Sequence, residues 1–161
     1  MKIAFILNGE DEVIRTNREQ RLTDILRDSF GLIGAKSNCC VGKCGLCLVI
    51  YNGNVVKSCM IPAFRVRGSE IITIEGFSQT MEYQDIIRGF SDSEVFNCGY
   101  CNTGKILTVE ALLSKNPRPD REDILMAFNG IKCRCTEPEN LVQGVLAIAD
   151  IRQRKLYGNR T

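Results

Sequence analysis

Residues 2–7 alternate apolar and less buried positions, with Ile3, Phe5 and Leu7 on one face. That is the period of a strand with one side against a core. Asn8-Gly9 follows as a hairpin turn, and Val13 to Thr16 reads as the return strand, leaving Glu10-Asp11-Glu12 as a solvated loop. From Arg21 to Phe30 the period lengthens. Leu22, Ile25, Leu26 and Phe30 share one side of a short helix that Gly31 ends. Leu48 to Tyr51 and Val55 to Val56 form a second hairpin around Asn52-Gly53, and Ile71 to Ile74 makes a last strand. This order suits a small mixed sheet packed on one helix.

After Gly76 the pattern is helical throughout. Ile86, Ile87 and Phe90 fit one helix, and Ile106, Val109, Leu112 and Leu113 a second, stopped by Asn116-Pro117. Asp120 caps a third, with Asp123 at the capping-box position and Ile124, Ala127 and Phe128 inward. A fourth carries Leu141, Val145, Ile148, Ala149 and Arg152 and ends near Gly158. The shift in period predicts an α+β chain of two domains, residues 1–77 with the sheet and 78–161 all-helical, a compact bundle. Domains of about 80 residues bury a modest core and are often stapled by metal or disulfides.

Composition excludes more than it selects. Apolar content of 44% and charged content of 25% are ordinary for a globular chain. The net charge is only +2, and the halves divided at residue 81 carry 10 basic against 8 acidic and 11 against 11. There is no basic stripe for nucleic acid and no apolar run long enough to span a bilayer. The N-terminus has no secretory or twin-arginine pattern, so a reducing, cytoplasmic setting is expected. There, cysteine spacing points to metal or catalysis before disulfides.

The chain has nine cysteines and no histidine. The first group reads Cys39-x4-Cys44-x2-Cys47, followed after eleven residues by Cys59, which is the plant-type [2Fe–2S] spacing. Gly42 and Gly45 lie where a loop must turn sharply around an inorganic core, with backbone N–H groups free to face its sulfurs. Zinc is the rival, although its sites usually come as paired C-x2-4-C knuckles. The second group, Cys98-x2-Cys101 with Cys133-x-Cys135, lies at predicted helix ends. Alone, C-x2-C is shared by redox pairs and zinc knuckles; the C-x-C partner makes a second four-thiolate site. Helix N-termini near Gly104 favour its negative charge. Cys40 is left as a spare thiol, because only Cys39 gives the x4 spacing to Cys44. With histidine absent there is no Ser/His/Asp or Cys/His constellation. Two such sites make the chain an electron carrier.

The strings Asn38-Cys-Cys-Val-Gly-Lys-Cys-Gly-Leu-Cys47, Cys98-Gly-Tyr-Cys101 and Cys133-Arg-Cys-Thr136 resemble the iron–sulfur subunit of the molybdenum hydroxylases, the xanthine dehydrogenase and aldehyde oxidoreductase family. The likeness extends to Leu-Leu-Ser-Lys-Asn-Pro at 112–117 and to Asn129-Gly130. It implies a β-grasp ferredoxin domain followed by a four-helix bundle. By the resemblance, Cys39, Cys44, Cys47 and Cys59 hold the [2Fe–2S] cluster nearer a flavin, and Cys98, Cys101, Cys133 and Cys135 hold the one nearer molybdenum. Electrons then run from a purine-like or other N-heterocycle, or an aldehyde, oxidised at molybdenum through both clusters to FAD. A large partner subunit holds molybdopterin and a medium one FAD, in a hetero-oligomer; the chain has no nucleotide-binding motif of its own and is not catalytic alone.

The resemblance also implies molybdopterin contacts from Asn97 and Cys135. The family usually has glutamine where Asn97 stands, which keeps the amide on a shorter stem. Asn102-Thr103 replaces a common Thr-Pro, Glu137-Pro138 a common Gly-Tyr, and Asn38 a glycine. Arg134 reads as solvated, Tyr100 as ordinary packing, and Arg152-x-Arg154-Lys155 as the polar end of the last helix. A free-standing ferredoxin-like carrier and a zinc-stapled interaction module are the alternative functions.

Overall fold

The computed structural model describes residues 1–96 and 98–157. The chain divides into two compact units, Met1–Gln79 and Thr80–Thr161.

In the first unit, Asn8 and Gly9 both take left-handed φ, 53° and 89°. This is the two-residue turn whose twist matches that of a strand pair. It folds β1 (Lys2–Leu7) against β2 (Glu10–Arg15) in antiparallel register. Glu10, Asp11 and Glu12 are therefore strand, opposite Leu7, Ile6 and Phe5, and not the solvated loop their charge suggests. A turn this tight leaves no slack, so pairing starts at once and overrides the weak strand preference of acidic residues. The buried alternates of β1 are Ile3, Phe5 and Leu7, as their period predicts.

Helix α1 (Leu22–Phe30) lays Leu22, Ile25 and Leu26 onto the sheet, each fully buried. Burial of each such side chain stabilises the unit by roughly 1.5–3 kcal/mol. Gly31, at φ 66°, closes the helix by donating its N–H to the Leu26 carbonyl. Strands β3 (Leu48–Tyr51) and β4 (Asn54–Lys57) pair across Asn52-Gly53, and β5 (Glu70–Ile72) runs parallel to β1 and antiparallel to β3. The sheet order is β2-β1-β5-β3-β4. The last strand stops at Ile72 instead of reaching Ile74, which opens the short helix α2 (Ile74–Phe77). The Asn8 side chain is the cause. Its Oδ1 accepts from the Thr73 N–H at 2.8 Å and its Nδ2 donates to Thr73 Oγ1 at 3.2 Å, so the N–H that would extend the ladder is taken.

The second unit is helical: α3 (Met81–Asp92), α4 (Asn102–Lys115), α5 (Arg121–Phe128) and α6 (Pro138–Tyr157). The predicted capping box is present, with Asp120 accepting from the Asp123 N–H at 2.8 Å and Asp123 accepting from the Asp120 N–H at 3.1 Å. Gly89 and Gly144 let α3 and α6 approach closely; a Cβ on Gly89 would sit 2.5 Å from Ile148 Cγ1. Helix α4 is buried on most of its surface, with Ile106, Leu107, Val109 and Leu113 all inside. The basic end of α6 is more than a solvated tail. Arg152 pairs with Glu110 at 2.7 Å in a mostly buried bridge and Lys155 pairs with Asp85, while Arg154 meets Asp150 on the surface. Among the described residues no helix is long and apolar enough to cross a membrane.

Candidate metal centres

All nine cysteines carry free thiols. Eight of them fall into two groups of four, each drawn from two separate segments of chain.

The first centre begins in the loop between α1 and β3. Cys40 takes φ 55°, Gly42 72° and Gly45 71°, so the backbone repeatedly switches hand. That alternation aims successive N–H groups into one concavity, a form suited to anions. Cys39 Sγ accepts from the Lys43 N–H at 3.2 Å. Its thiol is pushed down to about 6 by the Val41 N–H first, then the Cys44 thiol and the N–H groups of Lys43 and Cys44. Cys47 sits immediately before β3 and Cys59 in the single turn after β4, so the hairpin carries both. Burial and the neighbouring Cys47 thiol push Cys59 up to about 12, against a pull from the Gly42 N–H. The neighbour pairs are thus Cys39 with Cys44 and Cys47 with Cys59.

Two polar side chains that sequence reasoning passed over hold this frame. Ser58 Oγ donates to the Cys47 carbonyl at 2.7 Å and, its one proton being used there, accepts from Thr23 Oγ1 at 2.6 Å. Both residues are fully buried. Helix α1 is thereby tied to the segment between Cys47 and Cys59. Cys40 turns to Ser37, 3.2 Å from its hydroxyl, and stays outside the paired set as the spacing suggests.

The second centre is built from the loops that open α4 and α6. Gly99, at φ 81°, makes the turn between Cys98 and Cys101. The Tyr100 N–H and then the Cys135 thiol hold Cys98 down, and Cys135 is correspondingly held up by the Cys98 thiol. Burial and the Cys133 thiol push Cys101 up to about 11. Burial also acts upward on Cys133, but the Cys135 N–H, the Cys101 thiol and both the hydroxyl and N–H of Thr136 outweigh it and bring Cys133 to about 6. The pairs here are Cys98 with Cys135 and Cys101 with Cys133. Cys101 caps the N-terminus of α4, where the helix dipole favours negative charge. Asn97 lies outside the described residues. Cys135 and Arg134 are exposed, and Tyr100, expected to pack, is 52% exposed.

Among the described residues no three His, Cys, Asp or Glu side chains converge on one ion-sized point. A binuclear cluster takes two cysteines on each iron, four in all, and each centre supplies four. Soft sulfur donors with N–H groups aimed at them fit such a cluster in both places.

Comparison with known proteins agrees. Residues 5–70 match the 2Fe-2S iron-sulfur cluster binding domain, and residues 73–146 match the [2Fe-2S] binding domain. The chain is 44% identical to the nicotinate dehydrogenase small FeS subunit of Eubacterium barkeri, over 83% of this chain and 85% of that protein. The chain belongs to the iron–sulfur subunit family of the molybdenum hydroxylases. It is also 31% identical to the nicotine 6-hydroxylase small subunit of Paenarthrobacter nicotinovorans, over 91% of this chain and 88% of that one. It superposes on a chain of quinoline 2-oxidoreductase from Pseudomonas putida 86 with a TM-score of 0.86 at 31% identity, covering 96% of each. Against the aldehyde oxidoreductase of Desulfovibrio desulfuricans the TM-score is again 0.86, over 94% of this iron–sulfur subunit but only 17% of that longer chain.

Proposed function

We propose that Cys39, Cys44, Cys47 and Cys59 hold one [2Fe–2S] cluster and Cys98, Cys101, Cys133 and Cys135 a second. On this reading residues 1–77 form a β-grasp ferredoxin domain and residues 78–161 a four-helix bundle. The subunit relays electrons between a molybdopterin centre on a large partner and FAD on a medium one. One-electron transfer is the chemistry each cluster supplies when bound. The chain's own residues fix the thiolates in place, donate backbone N–H groups to them and exclude water from Cys44, Cys47, Cys59 and Cys101, which are all buried.

The observation that carries the reading is four cysteines in each of two stretches that match [2Fe–2S] binding families, residues 5–70 and 73–146, with N–H groups turned toward the thiols in both. Free thiols throughout suit the reducing cytoplasm. Asn97 and Cys135 are assigned the molybdopterin contact by family resemblance. The related proteins serve in enzymes named for nicotinate, quinoline and aldehydes, which fits a subunit that carries electrons while the large partner chooses the N-heterocycle or aldehyde.

The test is the Cys133→Ser chain isolated with its partners. Reduced wild-type protein should give two paramagnetic signals and about four iron and four sulfide per chain. The variant should lose one signal and about half the iron. Loss of both signals together would overturn the division into two independent centres, and zinc without iron would overturn the redox reading.

A further inference from the structure

Lys105 is 2% exposed, an unusual place for a lysine without a charged partner. Among the described residues no Asp or Glu forms an ion pair with it. An ammonium has three donors and no acceptor, and two of the three are placed on neutral oxygens. Nζ donates to the Val95 carbonyl at 2.7 Å and to Thr136 Oγ1 at 2.6 Å. Cys101 lies one turn before Lys105, at the start of α4, and the ammonium favours the charged form of its thiol. Thr136 then lies 3.0 Å from the Val95 carbonyl and 3.7 Å from Cys133 Sγ. Lys105 thus reaches Cys133 through one hydroxyl and stands one helical turn from Cys101. Val95 and Thr136 are neutral, so the ionisable groups this buried cation acts on are the thiols of the second centre, Cys101 and Cys135 among them.

We propose that Lys105 sets the reduction potential of the second cluster, its buried positive charge favouring the reduced form. This rests on the assignment of that centre as a [2Fe–2S] site. A cluster with four thiolates is already anionic when oxidised, and one-electron reduction adds a further negative charge with no bond or proton exchanged. A cation fixed beside two of the four ligands stabilises the more negative state and raises the potential. Burial keeps solvent and salt from screening the interaction. On the order that the family resemblance implies, with the electron entering from molybdenum and leaving toward FAD, a raised potential at the second cluster draws the electron off the molybdenum centre.

The experiment is an EPR-monitored redox titration of the subunit isolated with its partner chains, wild type against Lys105→Met and Lys105→Gln. Methionine keeps the length of the stem without charge or donors; glutamine restores a donor without charge. At fixed solution potential both variants should lower the reduced-to-oxidised ratio of the second cluster by roughly tenfold or more, which for a one-electron couple is about 59 mV. The first cluster should keep its wild-type midpoint, and the shift should persist at high salt. An unchanged midpoint in both variants would overturn the proposal. So would a wild-type midpoint restored by glutamine, which would assign the effect to hydrogen bonding, and so would loss of the second cluster in both variants, which would make Lys105 a structural tie. Failure of the underlying assignment would look different: wild-type protein itself would lack the second signal.

Discussion

Ser58→Ala isolates the tie between α1 and the first centre. Ser58 and Thr23 are both fully buried, so no water can replace what the substitution removes. Two hydrogen bonds go: Ser58 Oγ to the Cys47 carbonyl, 2.7 Å, and Thr23 Oγ1 to Ser58 Oγ, 2.6 Å. The Cys47 carbonyl keeps the Ser58 N–H at 3.0 Å, so its loss is a single bond, about 1 kcal/mol. The Thr23 hydroxyl is left buried without a partner, which costs about 1–2 kcal/mol more. The total is about 2–3 kcal/mol, borne by the unit that spans Met1–Gln79. Native-state hydrogen exchange reads it locally. Amides of α1 and of the β3–β4 hairpin should lose roughly 30- to 140-fold in protection, while those of α4 and α6 stay unchanged and serve as the internal reference. Adding Thr23→Val removes the stranded hydroxyl, and replacing both partners of a buried hydrogen bond by apolar groups is far less costly than removing one. The double variant should therefore recover about 1–2 kcal/mol of the loss. If it is less stable than Ser58→Ala alone, or if α1 exchange does not respond to either, the buried pair is not what fixes this segment.

Two further outcomes follow from the geometry. Gly89→Ala puts a Cβ 2.5 Å from Ile148 Cγ1 and 3.2 Å from the Gly144 carbonyl; so close an approach puts overpacking at about 2–3 kcal/mol, which less about 1 kcal/mol of helix propensity leaves about 1–2 kcal/mol and should lower the melting of the helical unit by about 4–16 °C in calorimetry. Gly130→Ala, with nothing within 4 Å of its Cβ, should leave that transition unmoved. In the metal-free chain, Cys39 and Cys133, each brought down to about 6, should be alkylated first at neutral pH, because the thiolate is the nucleophile. Their rates should rise as pH climbs through the lowered values and then level, while Cys59 and Cys101, raised to about 12 and about 11, should react slowly even in mild base. Mass spectrometry of labelled peptides would expose a reversed order.

Features written in short-range spacing are legible from the chain. The Asn8-Gly9 and Asn52-Gly53 turns, the Gly31 stop and the Asp120–Asp123 box all rest on chemistry within a few residues. What escapes depends on partners far along the chain. Glu10 to Glu12 are the exception: their charge points to a loop, and the adjacent Asn8-Gly9 turn decides for a strand. Ile74 leaves the last strand because Asn8, at the end of another, captures the Thr73 N–H. Thr23 and Ser58 are ordinary polar residues until the fold brings α1 against the hairpin. Lys105 does carry a signal: it falls four residues after Cys101 and four before Val109, so it shares a helix face with a cysteine of the second group and a core residue. Because α4 is buried on most sides, its apolar stripe is broad, and a single lysine on it does not stand out from a solvated one.

The second centre draws on four separate stretches, at Val95, at Cys98 to Cys101, at Lys105 and at Cys133 to Thr136, and two of its thiols, Cys98 and Cys135, are exposed. Loops with so little burial cannot hold a four-thiolate geometry by packing. The ammonium of Lys105 and the hydroxyl of Thr136 meet at the Val95 carbonyl, and that junction pins three of the four stretches before any iron arrives. Prior ordering of this kind removes part of the entropy that cluster binding would otherwise have to overcome. The first centre reaches the same end differently, with three cysteines in one loop of alternating hand and the fourth delivered by a hairpin whose register the sheet enforces. On the proposal above, the charge that helps hold the second loop also tunes it, so the two centres can differ in potential although their donors are chemically the same, and that difference sets which of the two holds a single electron.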